Sequence, residues 1–480
     1  MNIGICTDKN DFFYDLHSLV KSFFPDDDVS IFCEEDTEKS SEHRDLLIRI
    51  GIPEYGADRK EARDTLKREL YLTLSAYTGR TLPWGVLSGI RPTKIPMQML
   101  NDGEDEEACV RHLRENAYVS PEKAELAVRV AAKEKTLLEH VPLGADCYSL
   151  YVHIPFCPTI CLYCTFASSP AVLWKKRSEE YMMALASELR AKKEQMEETG
   201  CRRGPVTVYV GGGTPTTLTA EELDRLLSLI EETYDLSAAL EYTVEAGRPD
   251  SITSEKLAVM LSHGVTRISV NPQTMNDVTL ERIGRRHSAG ETEEAFYLAR
   301  EAGFTNINMD IILGLPGEGL PEVERTLRRI EMLRPDSLTV HSLAIKRASR
   351  LRLNILEDRQ KDTKADRGDF RGLAMDNSSD LMQLAAESAG RMDMSPYYLY
   401  RQKNMRGNLE NTGFAREGCE CLYNILIMEE VQTICAVGAG ASTKTVSADG
   451  RIERSVNPKD VDLYIRRMAP FEKTCDGKNR

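Results

Sequence analysis

From Tyr148 to Leu343 the sequence alternates strand-like with helix-like runs, and this alternation restricts the fold more than any single motif does. Six β-rich stretches stand out: "SLYVHI" (149–154), "VTVYVGGG" (206–213), "EYTVEA" (241–246), "RISVNPQ" (267–273), "INMDIILGL" (307–315) and "SLTVHSL" (337–343). Helical patterns lie between them, around 178–195, 220–233, 254–262, 291–302 and 321–332. Strands separated by helices pair in parallel through crossovers rather than as hairpins. The expectation is an α/β fold built on a partial (β/α)6 barrel, with a doubly wound sheet as the alternative. In either, ligands gather at the C-terminal ends of the strands. Thr219 ahead of "AEEL" and Ser254 ahead of "EKLAVML" read as helix N-caps.

The flanks differ in texture. Residues 1–145 read as an N-terminal α/β domain of unknown role. Its strands are "NIGIC", "VSIFC" and "LLIRI", followed by helical patterns over Lys60–Ala76 and Asp105–His140. Residues 146–345 form the core barrel. Residues 346–480 read as a mostly helical C-terminal element, with a polar segment (357–380) and a glycine-rich "AVGAGAS" (436–442).

Charge excludes some partners. Lys and Arg total 62 against 76 Asp and Glu, a net charge of −14, which opposes broad nucleic-acid or anionic-membrane binding. The start, "MNIGICTDKNDFFYDLHSL", lacks the basic end and unbroken apolar run of a signal peptide. No stretch approaches the roughly 18–20 apolar residues of a membrane span. A cytoplasmic protein is expected.

Most of the twelve cysteines are scattered, as buried small hydrophobes are. Cys157, Cys161 and Cys164 are not: they form C-x3-C-x2-C directly after the first barrel strand. Zinc sites of paired knuckles need a second C-x2-C, and none exists here. On a four-iron cubane, three thiolates leave one iron open to a chelating ligand, such as the amino and carboxylate groups of an amino acid. Other residues fall at strand ends. "GGGTPT" (211–216) lets backbone approach a ligand. Glu245 and Asp310 are acids inside apolar runs, where an unpaired carboxylate is costly. Arg285 and Arg286 are adjacent cations between the fourth and fifth strand-like runs. His153, His287 and His341 could carry ligand or proton roles, and the "CEC" at 419–421 reads as ordinary cysteines.

C-x3-C-x2-C after the first barrel strand resembles the radical S-adenosylmethionine (SAM) superfamily. "YVHIPFC", "GGGTPT", "RISVNPQTMND", "IGRRH" and "MDIILGLPGE" narrow the resemblance to the oxygen-independent coproporphyrinogen III oxidase family. "GIRPTK", "TVHSLAIKRASRL", "YLYRQKNMRGNLEN" and "YNILIMEE" are similar to its coproporphyrinogen dehydrogenase branch. The resemblance runs from about Leu82 to Lys444. It implies a [4Fe–4S] cluster on Cys157, Cys161 and Cys164, with SAM on the open iron. Gly212, Gly213 and Thr214 would meet the amino group of SAM, with Glu245, Gln273, Arg285 and Asp310 as further contacts. Tyr151, Tyr163 and Ala344 match lining positions. The implied substrate is coproporphyrinogen III, and the implied partner a reducing electron donor such as flavodoxin or ferredoxin. Its four propionates call for cations, among which Arg91, Lys94, Lys346, Arg347, Arg350, Arg401 and Arg406 are candidates. Phe166 stands where the best-known oxidase pattern has a fourth cysteine. A haem-trafficking chaperone of the same family shares that phenylalanine, so chaperone function is the alternative, beside radical chemistry on another tetrapyrrole.

Overall fold

The amino terminus folds around its own small parallel sheet. In this computed structural model, every residue is described except 26, 37–42, 55–57, 145, 347–348, 361–374, 376, 403–405, 448 and 469–480. Strands β1 (Asn2–Thr7), β2 (Asp28–Cys33) and β3 (Leu46–Ile50) align in the order β2-β1-β3, with α1 (Phe13–Phe23) crossing from β1 to β2. Helices α2 (Arg59–Thr78), α3 (Lys94–Asn101), α4 (Glu106–Ala117) and α5 (Pro121–Leu138) follow. The single helical pattern over Asp105–His140 is thus two helices. Tyr118 turns left-handed (φ 54°), Ser120 caps the restart, and Pro121, which has no N–H to donate, opens α5.

Strand β4 (Tyr148–Ile154) runs into the cysteine loop. That loop contains a two-residue pair, β5 (Phe156–Cys157) with β6 (Ser169–Pro170), and ends in a single turn, α6 (Ala171–Trp174). Helix and strand then alternate: α7 (Ser178–Glu198), β7 (Thr207–Gly212), α8 (Ala220–Thr233), β8 (Glu241–Glu245), α9 (Ser254–Ser262) and β9 (Arg267–Ser269). The series closes with α10 (Asp277–Arg282), α11 (Ala289–Ala302), β10 (Ile307–Leu313), α12 (Leu320–Leu333) and β11 (Ser337–Ser342). The six strands pair in parallel in chain order, β4-β7-β8-β9-β10-β11. A doubly wound sheet would reverse its order at an internal switch point. This one does not, so it is the partial barrel. Thr219 caps α8 with a capping box to Glu222; at α9 the cap is Thr253, one residue before the Ser254 expected.

After the barrel come α13 (Arg350–Gln360), α14 (Ser379–Arg391), β12 (Ser395–Tyr400), β13 (Asn411–Ala415) and α15 (Leu422–Glu429). The last elements are β14 (Thr433–Val437), β15 (Ser442–Val446), β16 (Ile452–Val456) and α16 (Val461–Met468). Helix outweighs strand here, as expected, but the strands are the surprise. They extend the barrel sheet on both sides into eleven strands, with β13 antiparallel to β11 and β14 parallel to β4. "AVGAGAS" is the turn that makes this fit. A side chain at Gly438 (φ 105°) would lie 2.3 Å from the His153 carbonyl. Buried Glu188 of α7 holds the turn by accepting from Gly438 N at 2.8 Å, Asn457 Nδ2 at 2.7 Å and Tyr464 Oη at 2.7 Å.

One buried carboxylate fastens the N-terminal helices to the segment that leads into β13. Fully buried Glu410 accepts from Trp84 Nε1 at 2.8 Å and pairs with Lys123 Nζ at 2.5 Å. Removing one partner strands a buried charge, so Glu410→Ala should cost about 3–5 kcal/mol in chemical denaturation. A loss below about 1 kcal/mol, the worth of an exposed pair, would contradict this anchoring role.

Candidate functional site

Period-two alternation sorts the barrel side chains. Val208 and Val210 of β7 pack into the main core, while Tyr209 faces the other side of the sheet. There it stacks on Tyr423 (centroids 4.5 Å), which also stacks on Tyr151 at 5.9 Å. Tyr423 arrives from the first turn of α15, whose Leu422 N–H donates to Glu241 Oε2 on β8 at 2.6 Å. Cys421 is buried and donates to Glu241 Oε1 at 3.3 Å, so the last residue of the "CEC" belongs to this anchor.

At the C-terminal rim, β7 and the cysteine loop are fastened backbone to backbone. Gly213 N–H donates to Ile154 O at 2.8 Å and Thr214 N–H to Phe156 O at 2.7 Å. A Cβ on Gly213 would stand 2.6 Å from Ile154 O and 2.7 Å from Phe156 O. On Gly212, at φ 99°, it would strike the His153 ring. The Thr214 hydroxyl reaches Cys157 Sγ at 3.6 Å. Glu245, ending β8, accepts from Tyr209 Oη at 2.6 Å and Gly212 N at 3.1 Å. Burial lifts its pKa to about 7, against the pull of the Tyr209 hydrogen bond.

The cysteine loop rests on the opposite rim as well. Leu162 N–H donates to Ile283 O at 3.0 Å, and Thr159 Oγ1 to Gly284 O at 2.9 Å. Cys157, Cys161 and Cys164 are all half-buried; burial lifts the Cys157 thiol to about 11, and Cys164 also stands above its usual range. Among the described residues no three His, Cys, Asp or Glu side chains converge as they would on one ion. Cluster binding does not require that, because each thiolate takes a different iron. Three thiols on a loop anchored at both rims fit a cubane with one iron free, and Phe166, 71% exposed, offers no fourth donor.

The remaining expected residues lie in or after the neighbouring strands, on the turn after α10 and on the cysteine loop. Gln273 follows β9 at φ 67°, a costly conformation for a residue with a side chain, and its buried Oε1 has no hydrogen-bond partner. Its backbone is fixed by Gln273 N–H to Asp310 O and Ile312 N–H to Gln273 O, both 2.9 Å. Asp310 accepts from Asn308 Nδ2 at 2.7 Å and faces His341 at 3.9 Å. Burial raises its pKa, but these partners outweigh burial and leave it below the ordinary value. Arg285 is buried, donates from Nη1 to Asn271 O at 2.5 Å, and leaves Nε unpartnered. Tyr163 lies against Arg285 and Cys161, and half-buried Ala344 follows β11.

Several sequence candidates prove structural. His153 is buried and held at both ring nitrogens, by Tyr151 Oη at 3.1 Å and Ala167 O at 3.0 Å, so it orients the loop. Arg91 faces Glu429 at 3.7 Å and Glu430 at 3.5 Å, and Arg401 is buried among the Leu87, Asn408 and Leu409 carbonyls. Neither is free for a propionate. Lys94, Lys346, Arg286 and Arg350 are exposed; Arg347 and the Arg406 side chain lie outside the described residues. Tyr209 and Asn271 escaped the sequence reading, and Tyr423 entered it only as part of "YNILIMEE". Only the inward parity of Tyr209 within "VTVYVGGG" carried a signal.

A family model described as the radical SAM superfamily matches residues 151–330. The oxygen-independent coproporphyrinogen-III oxidase-like protein HemZ of Bacillus subtilis is 40% identical over 421 residues, covering 87% of this chain and 81% of that protein. The heme chaperone HemW of the same organism is 37% identical over 198 residues, 41% of this chain and 50% of the chaperone. Among solved structures, coproporphyrinogen III oxidase (HemN) from Escherichia coli superposes with a TM-score of 0.50 at 23% identity. That match covers 69% of this chain and 72% of HemN and shows likeness of fold.

A carboxyl group whose folded pKa is raised binds its proton more tightly in the native state. The native state therefore loses stability as pH climbs from the unfolded value, about 4.3, through the folded one. Substituting Glu245→Gln removes this term. The variant should gain on the parent between about pH 4.3 and the folded pKa of about 7, then hold a constant advantage. Urea denaturation of both chains across that range reads the difference. A pH-independent difference would contradict the raised pKa.

Proposed function

Because the chain belongs to the radical SAM family of oxygen-independent coproporphyrinogen III oxidase-like proteins, we propose that it converts coproporphyrinogen III to protoporphyrinogen IX. Each of two propionates gives up a hydrogen atom from its β-carbon, then carbon dioxide and, to an external one-electron acceptor, one electron, and becomes a vinyl group. The single observation that carries the reading is the meeting of Cys157, the Gly212–Thr214 turn and Glu245 within hydrogen-bonding reach at one strand-end rim. When bound, a reduced [4Fe–4S] cluster with SAM supplies the 5′-deoxyadenosyl radical that accepts the hydrogen atom.

The chain's own groups hold and orient. Cys157, Cys161 and Cys164 are the thiolate ligands. The bare backbone of Gly212 and Gly213, beside the Thr214 hydroxyl, admits the amino end of SAM. Glu245 accepts hydrogen bonds from it. Arg285 turns its buried guanidinium, whose Nε has no partner, to the carboxylate, and Gln273 and Asp310 add polar contacts. Tyr151, Tyr163 and Ala344 line the site, and Tyr151, Tyr209 and Tyr423 form an aromatic stack on the same face of the sheet. Of the cations expected for propionates, Lys346 stays exposed beyond β11 with no ion pair among the described residues.

A reducing cytoplasm suits this chemistry: no disulfide joins the described cysteines, and no described helix is long and apolar enough to cross a membrane. A second reading, haem trafficking, draws on Phe166 and on the likeness to HemW. Anaerobic turnover with reductant, SAM and coproporphyrinogen III separates them. The expected result is protoporphyrinogen IX with 5′-deoxyadenosine, both abolished in Cys161→Ala. Stoichiometric haem binding without deoxyadenosine would support the chaperone reading. Deoxyadenosine without a vinyl product would keep radical chemistry and overturn the substrate.

A further inference from the structure

Thr214 closes the glycine turn, and its main chain is held on every side. Its N–H donates to Phe156 O at 2.7 Å, and its carbonyl accepts from Thr217 N at 2.9 Å and Thr217 Oγ1 at 2.8 Å. Pro215 follows, with φ fixed by its ring. Branching at Cβ restricts the Thr214 side chain in turn. The residue is 2% exposed, so water does not compete for its hydroxyl. That hydroxyl donates to Cys157 Sγ, 3.6 Å away. Burial lifts the Cys157 thiol, and the Thr214 hydrogen bond opposes the lift by favouring the thiolate.

A hydroxyl has one proton and two lone pairs. With the proton given to sulfur, Thr214 offers only acceptor pairs to a ligand on the glycine turn. It can take a hydrogen bond from an amino group, and has no proton left for a carboxylate. Glu245 is an acceptor on the same rim, reached by Gly212 N at 3.1 Å and by Tyr209 Oη at 2.6 Å. The rim therefore sorts the two ends of an amino acid: amino group to Thr214 and Glu245, carboxylate elsewhere.

We propose that Thr214 is a positioning residue that couples SAM to the cluster, its oxygen accepting from the amino group of SAM while its proton is donated to Cys157. The proposal rests on the cluster reading above and adds the direction of this hydrogen bond and its effect on reduction. Donors to a cluster sulfur favour the reduced, more negative cluster and raise its potential. A hydroxyl that accepts a hydrogen bond becomes a stronger donor through its own proton. SAM bound at Thr214 thus raises the cluster potential, and by linkage SAM binds the reduced cluster more tightly than the oxidised one by the same factor. No covalent bond forms or breaks in this step. One electron passes from an external reductant to the cluster, and the hydrogen bonds shift that equilibrium towards reduction when SAM is in place.

Redox titration of the reconstituted full chain, followed by electron paramagnetic resonance with and without SAM, reads the potential itself. Thr214→Val keeps the branched shape and the main-chain bonds and loses the hydroxyl. Without SAM it should be harder to reduce by about fivefold, roughly 40 mV for one electron. SAM should raise the potential of the parent, and this rise should be absent in Thr214→Val. Thr214→Ser restores the hydroxyl and should restore both effects, which a purely steric role would not do. A Thr214→Val potential equal to that of the parent, with and without SAM, would overturn the proposal while leaving the cluster in place. Weaker SAM binding in Thr214→Val with an unmoved potential would assign the hydroxyl to SAM alone and overturn it as well. A parent potential that SAM does not raise would overturn the coupling whatever the variants show. A parent chain that takes up no reducible four-iron cluster would instead overturn the underlying reading.

Discussion

Two backbone hydrogen bonds, from Gly213 N–H to Ile154 O and from Thr214 N–H to Phe156 O, set where the cysteine loop leaves the barrel. They extend the β4–β7 pairing beyond the sheet, so the first cysteine starts from a rigid strand rather than a free loop. The contact is too close for any side chain at Gly213. Gly212, turned to positive φ, directs its N–H to Glu245. Cys157, the glycine turn and the carboxylate thus occupy one rim through a single strand-end geometry. Opposite, Thr159 and Leu162 tie the same loop to the turn that carries Arg285.

The C-terminal region does more than cover the barrel. Its strands continue the sheet past β4 and β11, and α15 brings Tyr423 against Tyr151 and Tyr209. The carboxylates Glu188, Glu241 and Glu410 are each buried and each satisfied by donors from distant parts of the chain. Such groups stabilise only one arrangement of their partners, because leaving any of them unpaired is expensive. Arg91 of "GIRPTK" faces a further such pair, the acids Glu429 and Glu430 that close "YNILIMEE".

The barrel was legible because its strands and helices carry local signals. Val208 and Val210 alternate with Tyr209, and Thr219 forms a capping box within four residues. What the sequence hid depends on contacts between distant segments. Nothing local in "AVGAGAS" says that β14 will lie beside β4, nor in "SPYYLY" that β12 will pair with β13. The break at Tyr118 could have been read from Pro121, whose missing N–H ends a continuous helix. Lone cations were the least legible: Arg91 and Arg401 resemble ligand-binding residues in sequence, and only their buried partners reveal them as anchors. The three cysteines were legible as a set because their spacing after a strand already restricts what they can hold.

That set carries the central claim: three protein thiolates and one iron left for the amino and carboxylate groups of SAM. Electron–nuclear double resonance on the reduced, reconstituted chain with SAM labelled at its methionyl nitrogen tests it directly. A hyperfine coupling from that nitrogen to the cluster is the predicted result. A reduced cluster that shows no such coupling at saturating SAM would contradict the account.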